Sequence, residues 1–362
     1  MGGAPAVTGA AVRSLEEGIR AQGFGLGFDL VGITTLGTVS TAPHFDRWLD
    51  RGYAGEMHYL PKWADKRRDS RLPYEGVRSA IVVAMNYGGA EPSGPVARYA
   101  RGDDYHDVLD AKLRELHAWI GTELGRAVRG RAYVDTGPLL ERDLAQRAGL
   151  GWFGKNTNLL NPQLGSFFFL GALLIELDLV PDAPFESDRC GTCTRCIDAC
   201  PTHAIVEPRV LDATRCISYL TIEAKGEIPK EFREAIGGLI YGCDICQDVC
   251  PWNEKFSKSL EESAFALRRA LGAGGDLKDA RTLARELLAM SQSELSAAFK
   301  GSPMKRAKRR GLARNAAVAL GNVGVADDLP ALEAALSHDE PLVREHAAWA
   351  LAQLRHRGSF TR

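Results

Sequence analysis

The sequence predicts an α+β chain in three parts, and three observations predict it. Strand-like and helix-like stretches alternate through the first ~180 residues. All eight cysteines fall between residues 190 and 250. The last ~80 residues are alanine- and leucine-rich, helical in period and internally repeated. An N-terminal α/β domain is therefore expected over 1–180, a ferredoxin-like, cysteine-bearing domain over 181–260 and a HEAT-like helical repeat region over 261–362.

In the first part, Arg13 to Gln22 has a helical pattern and Asp29 to Thr34 is a short apolar strand. Ala80 to Asn86 has the unbroken apolar run of a strand buried on both faces. Asp103 to Arg126 is an amphipathic helix, with Leu109, Leu113, Leu116, Ile120 and Leu124 on one face. Arg131 to Asp135 predicts a strand, Pro138 to Ala148 a helix, and Phe167 to Leu177 a long apolar strand. Two prolines between Val180 and Phe185 mark a boundary.

The cysteines specify metal chemistry. Cys190, Cys193, Cys196 and Cys200 form C-x2-C-x2-C-x3-C, followed by Pro201; Cys216 stands alone; Cys243, Cys246 and Cys250 form C-x2-C-x3-C, followed by Pro251. Two [4Fe–4S] clusters need eight thiolates, and eight are present. In the two-cluster ferredoxin arrangement the last cysteine of each run ligates the other cluster. Cys190, Cys193 and Cys196 then share a cluster with Cys250, and Cys216, Cys243 and Cys246 with Cys200. Two four-cysteine zinc sites would show separated C-x2-C pairs, and a disulfide framework belongs to small secreted domains.

In the third part, Ala316-Ala-Val-Ala-Leu320 recurs 31 residues on as Ala347-Ala-Trp-Ala-Leu351, as stacked helix pairs require. A basic run precedes it: Lys305, Arg306, Lys308, Arg309, Arg310 and Arg314, with no acidic residue between Lys300 and Asp327. A solvated helix face is the plain reading of such a run. The lack of interleaved counter-charges favours a grip on a nucleic-acid backbone.

With 362 residues, 45% hydrophobic and 25% charged, the composition is that of a globular chain. Its net charge of −1 means that any nucleic-acid site arises by charge segregation. Met1 to Ala11 carries no secretory or twin-arginine signal, and Phe167 to Leu177 is too short to span a bilayer. A cytoplasmic protein without a membrane association is expected.

Three segments invite functional readings. Gly149 to Lys155 matches most of a phosphate-binding loop, but Asn156 replaces the magnesium-binding hydroxyl and the segment follows a helix. Asp104-Tyr-His106 approaches a cobalt-binding histidine motif, but Leu109 occupies its glycine position, so no histidine lower ligand is expected. Asp135, in Val134-Asp-Thr-Gly-Pro138, is either a helix cap or a general acid at a strand end.

Longer stretches carry a resemblance. They include Gly55-Glu-Met57, Ala97 to His106, Val134 to Arg142, Gly149 to Leu159, Gly165 to Gly171, Arg215 to Glu223, Tyr241 to Asn253 and Arg314 to Asn322. Over roughly residues 13 to 355 the chain resembles the epoxyqueuosine reductases, cobalamin-dependent iron–sulfur enzymes of tRNA modification. The resemblance implies reduction of epoxyqueuosine to queuosine at the tRNA wobble position. It implies two [4Fe–4S] clusters and cobalamin, with the cluster of Cys200, Cys216, Cys243 and Cys246 nearer the cobalt. Asp135 is implied as proton donor. The cobalamin pocket is implied near Met57, Arg98, Tyr99 and Asp135, and near Lys155, Asn158, Ser166, Phe169 and Ser218. The basic run would grip the anticodon stem-loop. A flavodoxin or ferredoxin would supply electrons, and a monomer is expected.

Two alternatives stand beside it. A reductive dehalogenase-like enzyme shares the cofactors, but the missing twin-arginine signal, the basic run and the helical tail argue against it. A non-enzymatic electron carrier leaves the first ~180 residues and Asp135 without a role.

Overall fold

The structure is a computed structural model that describes residues 14–359, and side chains as far as residue 357. The expectation that Met1 to Ala11 carry no signal lies outside the described residues.

The first helix, α1 (Leu15–Gly25), starts at Ser14, whose hydroxyl accepts the Glu17 N–H while Glu17 returns to the Ser14 N–H. Strands β1 (Leu30–Thr35), β2 (Ser79–Asn86), β3 (Gly130–Tyr133) and β6 (Phe168–Ile175) form one sheet in the order β1-β2-β6-β3. Every pairing is antiparallel, including Asn86 opposite Phe168 and Tyr133 opposite Ala172. The alternating pattern therefore folds as an antiparallel sheet layered with helices.

β2 is buried along its whole length, as its apolar run predicts. Ile81, Val83 and Met85 enter the core under α5 (Tyr105–Glu123), with Leu109, Leu113, Leu116 and Ile120. Ala80, Val82 and Ala84 face the opposite core, with Leu144 and Ala145 of α6 (Glu141–Arg147). Leu124, expected on the same face, caps α5 and is exposed.

The periodicity left out three helices between β1 and β2: α2 (Ala42–Asp50), α3 (Tyr59–Lys62) and α4 (Ala64–Arg68). Gly149 to Leu160 forms a hairpin of β4 (Trp152–Phe153) and β5 (Leu159–Leu160), with Lys155 in its turn. That geometry is not a strand-to-helix phosphate loop, in agreement with the sequence.

The cysteine segment is a set of short elements: α7 (Arg195–Asp198), β7 (Ile205–Glu207), β8 (Val210–Leu211), α8 (Ile217–Ile222), α9 (Lys230–Arg233), α10 (Ile245–Asp248) and α11 (Pro251–Phe256). Five helices follow: α12 (Ala280–Ala289), α13 (Gln292–Ala298), α14 (Lys308–Val323), α15 (Leu329–Ala335) and α16 (Pro341–Ser359). The two alanine repeats lie in α14 and α16, which pack together; a side chain at Gly321 would collide with Trp349 and Ala350. Their core continues into Ile222, Ile240 and Tyr241 of the cysteine segment and Val96 and Ala100 beyond it. Among the described residues no helix is long and apolar enough to cross a membrane.

Candidate active site

Asp135 follows β3 in a left-handed backbone conformation, φ 56°. Its backbone N–H donates to Glu141 Oε1 at 2.7 Å, and its Oδ2 accepts the Tyr105 hydroxyl at 2.8 Å. His106 Nε2 lies 3.6 Å from the same oxygen, while its Nδ1 is 2.6 Å from Asp104 Oδ1. Helix α6 begins at Glu141 with no side-chain cap, so neither Asp135 nor Thr136 is used as a helix cap. The structure thus removes the plain reading of Asp135.

Titration follows from these contacts. Burial pulls His106 down, but Asp104 and Asp135 outweigh it and raise the imidazole to about 9. Asp135 is exposed to the cleft; partial loss of water there pushes it up, but His106 and Tyr105 outweigh that push and hold it below the ordinary carboxylate range. Burial and the facing charge of Asp135 push Glu141 up. At neutral pH the site therefore holds protons on His106 and Glu141, with Asp135 as the carboxylate between them.

Two spaces meet at this point. An inner cavity of about 400 Å³ is walled by Cys200, Cys216, Cys243 and Cys246. An outer cleft of about 1990 Å³ runs between the helices at 42–68, α6 and the β7–β8 hairpin. Asp135, Glu141, Arg142, Thr157 and Leu211 line both.

The remaining cysteines gather on the other side of the segment. Cys190 and Cys250 pack with Trp152, whose indole N–H points to Cys190 Sγ at 3.5 Å. Burial and the adjacent Cys250 and Cys190 push Cys196 up to about 11. All eight cysteines are free of disulfides. Two groups of four thiols, Cys250 buried and the others half-buried, are a donor set that fits two iron–sulfur cubes, since iron binds thiolates and displaces the protons.

Comparison with known proteins agrees with this arrangement. Residues 189–253 match the model of the 4Fe-4S double cluster binding domain, 67–136 that of Epoxyqueuosine reductase QueG, DUF1730, and 304–360 that of HEAT repeats. Epoxyqueuosine reductase of Xanthomonas campestris pv. campestris is 42% identical over 339 residues, spanning 90% of this chain and 92% of that protein. The chain belongs to the epoxyqueuosine reductase family. The Escherichia coli K12 enzyme is 40% identical over 94% of this chain and 90% of its own. A crystal structure of epoxyqueuosine reductase with a tRNA-Tyr epoxyqueuosine-modified stem loop aligns at TM-score 0.80 and 32% identity, over 94% of this chain and 90% of that one. A Bacillus subtilis structure, whose catalytic aspartate loop is swung out of the active site, aligns at TM-score 0.80, 31% identity and the same coverages.

The residues expected around the cofactor of this reductase separate into two groups. Tyr99, Asp135, Asn158, Ser166, Phe169 and Ser218 line the inner cavity. Arg98, Lys155 and Met57 do not. Arg98 is buried, 3.0 Å from Asp244 and 2.7 Å from Asp248, and its ion pairs fix α10 to the chain at 91–98. Lys155 Nζ donates to Gly191 O at 2.6 Å and Cys193 O at 2.9 Å, clamping the first cysteine loop. Met57 packs with Tyr219, Leu220 and Cys216.

The basic run also divides. Arg314 is 1% exposed and donates to the carbonyls of Leu220, Ala224 and Gly226, so no phosphate reaches it. Arg309 pairs with Asp339, Arg306 with Glu223, and Arg310 donates to Lys225 O. Among the described residues, Lys305 and Lys308 are exposed without such partners. Most of the run docks the helical tail.

Sequence reasoning missed Tyr105, Glu141 and Arg142 as site residues. Glu141 and Arg142 stood in the quoted stretch after Asp135; no local period marks a contact across a loop. His106 faces Asp135 and lines the outer cleft.

Proposed function

We propose that this protein reduces epoxyqueuosine to queuosine at the wobble position of tRNA. The observation that carries the proposal is the place of Asp135, at the neck between a nucleotide-sized cleft and a cavity walled by four cysteines. In the reaction both C–O bonds of the epoxide break and a C=C bond forms. Two electrons and two protons enter, and the oxygen leaves as water.

When bound, cobalamin supplies low-valent cobalt and the two clusters supply single electrons. Asn158, Ser166 and Ser218 suit the amide rim of a corrin, and Tyr99 and Phe169 give it an apolar wall. Cys200, Cys216, Cys243 and Cys246, which line the inner cavity, would hold one cluster, and Cys190, Cys193, Cys196 and Cys250 would hold the other; a flavodoxin or ferredoxin would be the electron donor.

The chain's own task is to place the nucleoside and move protons. A departing alkoxide is a poor leaving group, so its protonation lowers the barrier. His106 and Glu141 each hold one of the two protons: His106 passes its proton through Asp135 Oδ2 to the leaving oxygen, and Glu141, which lines the same two spaces, gives the second directly. Tyr105 keeps Asp135 Oδ2 aimed. The swung-out aspartate loop of the Bacillus subtilis neighbour supports reading the Asp135 loop as the moving part. Lys305 and Lys308 meet the tRNA backbone. The reading is of a cytoplasmic monomer, as a tRNA substrate requires no membrane.

An anaerobic assay tests it: protein loaded with iron, sulfide and cobalamin, a strong reductant, and tRNA bearing epoxyqueuosine, followed by nucleoside mass analysis. Loss of one oxygen that depends on cobalamin is expected. No loss, with clusters and cobalamin bound, overturns the proposal.

A further inference from the structure

One wall of the outer cleft has a composition unlike the rest. It is formed by α3, Trp63 and α4, with the sequence Tyr-Leu-Pro-Lys-Trp-Ala-Asp-Lys-Arg-Arg over 59–68. Trp63 is 44% exposed and Tyr59 41%, two large rings open to the same cleft. The Nζ atoms of Lys62 and Lys66 lie 5.2 and 5.0 Å from the centre of the Trp63 ring. The Arg306 guanidinium is 5.7 Å from the Tyr59 ring.

Lys62, Lys66 and Arg67 lack carboxylate partners, as do Arg47, Arg131 and Arg142 among the described residues of the same cleft. Elsewhere in the cleft Arg51 pairs with Glu207, Arg114 with Asp110 and Arg209 with Asp188. Among the described residues neither Lys62 nor Lys66 has a carboxylate partner. Arg67 is 6% exposed, lines the cleft, and spends one nitrogen on the carbonyls of Tyr59 and Trp63, at 3.3 and 3.4 Å. It too has no ion pair among the described residues. A buried guanidinium without an anion is costly and marks a place for one.

Stacking faces flanked by unpaired cations are what a protein offers to single-stranded nucleic acid. We propose that Trp63, Tyr59 and Arg67 form a subsite for a nucleotide flanking the wobble nucleoside. Its base stacks on the Trp63 indole. Its phosphate is taken by Arg67, with Lys62 and Lys66 beside it. This inference rests on the tRNA reading above, and it moves the main grip on the anticodon loop from the run at 305–314 to the segment at 59–67.

The test is equilibrium binding of the cluster- and cobalamin-loaded protein to a modified anticodon stem-loop, over a range of salt. Trp63→Ala is expected to weaken binding about 5- to 150-fold, the span of one lost base stack. Trp63→Phe restores most of it. Lys62→Gln with Lys66→Gln lowers the salt slope by about one to two. Arg67 also braces the local backbone, so the exposed tryptophan and the lysines carry the test. Iron content and melting temperature, unchanged in these variants, exclude misfolding. Wild-type binding with unaltered variants overturns the subsite alone. Failure of the wild type to bind the stem-loop overturns the tRNA reading with it. A Trp63→Ala protein that binds RNA normally but takes up electrons poorly from a protein donor assigns the platform to that donor and overturns the subsite.

Discussion

Glu141 Oε1 accepts the backbone N–H of Asp135 at 2.7 Å, and this bond holds a non-glycine residue in left-handed geometry at the neck of the site. Glu141→Ala removes the acceptor. The lost bond is worth ~0.5–1.5 kcal/mol, so single-turnover reduction should slow roughly 2- to 13-fold. Glu141→Gln keeps an acceptor oxygen and should lose less. A Gln variant as slow as the Ala variant would show that the carboxyl proton itself is needed.

His106 sets the alkaline limit. Its folded value of about 9 is above the ordinary imidazole value, so its charged form contributes stability fully below about 6.5. That contribution, and the stored proton, are lost as pH rises through about 9. The single-turnover rate should therefore fall in two steps, near 8 as Glu141 loses its proton and near 9 as His106 does, with His106→Gln slower and free of the upper step. A step near 9 that survives in His106→Gln would place the titration elsewhere.

Arg314 and Lys308, six residues apart in one helix, should behave in opposite ways. Arg314→Ala leaves the carbonyls of buried Leu220, half-buried Ala224 and exposed Gly226 without their donor and should cost on the order of 2 kcal/mol, seen as a melting temperature lower by several degrees. Lys308→Ala should leave melting unchanged and reduce the salt dependence of stem-loop binding by less than about one. Equal melting temperatures would contradict the docking role of Arg314.

Cys200 lines the inner cavity with Cys216, Cys243 and Cys246 although it ends the first run. Cys200→Ser and Cys216→Ser should therefore damage the same cluster, each losing up to about four irons with one shared change in the electron paramagnetic resonance spectrum. Cys190→Ser should change the other signal. Grouping of Cys200 with Cys190 would refute the crossed ligation.

What was legible in the sequence was local. Cysteine spacing, the apolar face of α5 and the alanine repeats each express a short-range rule, and each matches the structure. The sheet order was not, because β6 enters between β2 and β3 from later in the chain. The basic run was misread for a related reason. Its counter-charges, Glu223 and Asp339, are distant in sequence, so a segment without acidic neighbours looked unpaired. Lys62, Lys66 and Arg67 sit among ordinary polar residues, yet among the described residues none of them meets a carboxylate once folded. Charge near in sequence is a weak guide to charge near in space.

The helical tail bears on how this protein can be altered. Asn315 Nδ2 donates to Thr221 O at 2.7 Å and Ile240 O at 2.8 Å, and the apolar core there is built jointly from residues as far apart as Val96 and Leu354. A chain trimmed before Ala280 would open that core and strip those carbonyls of donors. The tail is thus no detachable adaptor that could be shortened or exchanged by itself. Shortening the enzyme from this end would disturb the very helix, Ile217–Ile222, that follows Cys216 and carries Ser218 into the cavity wall.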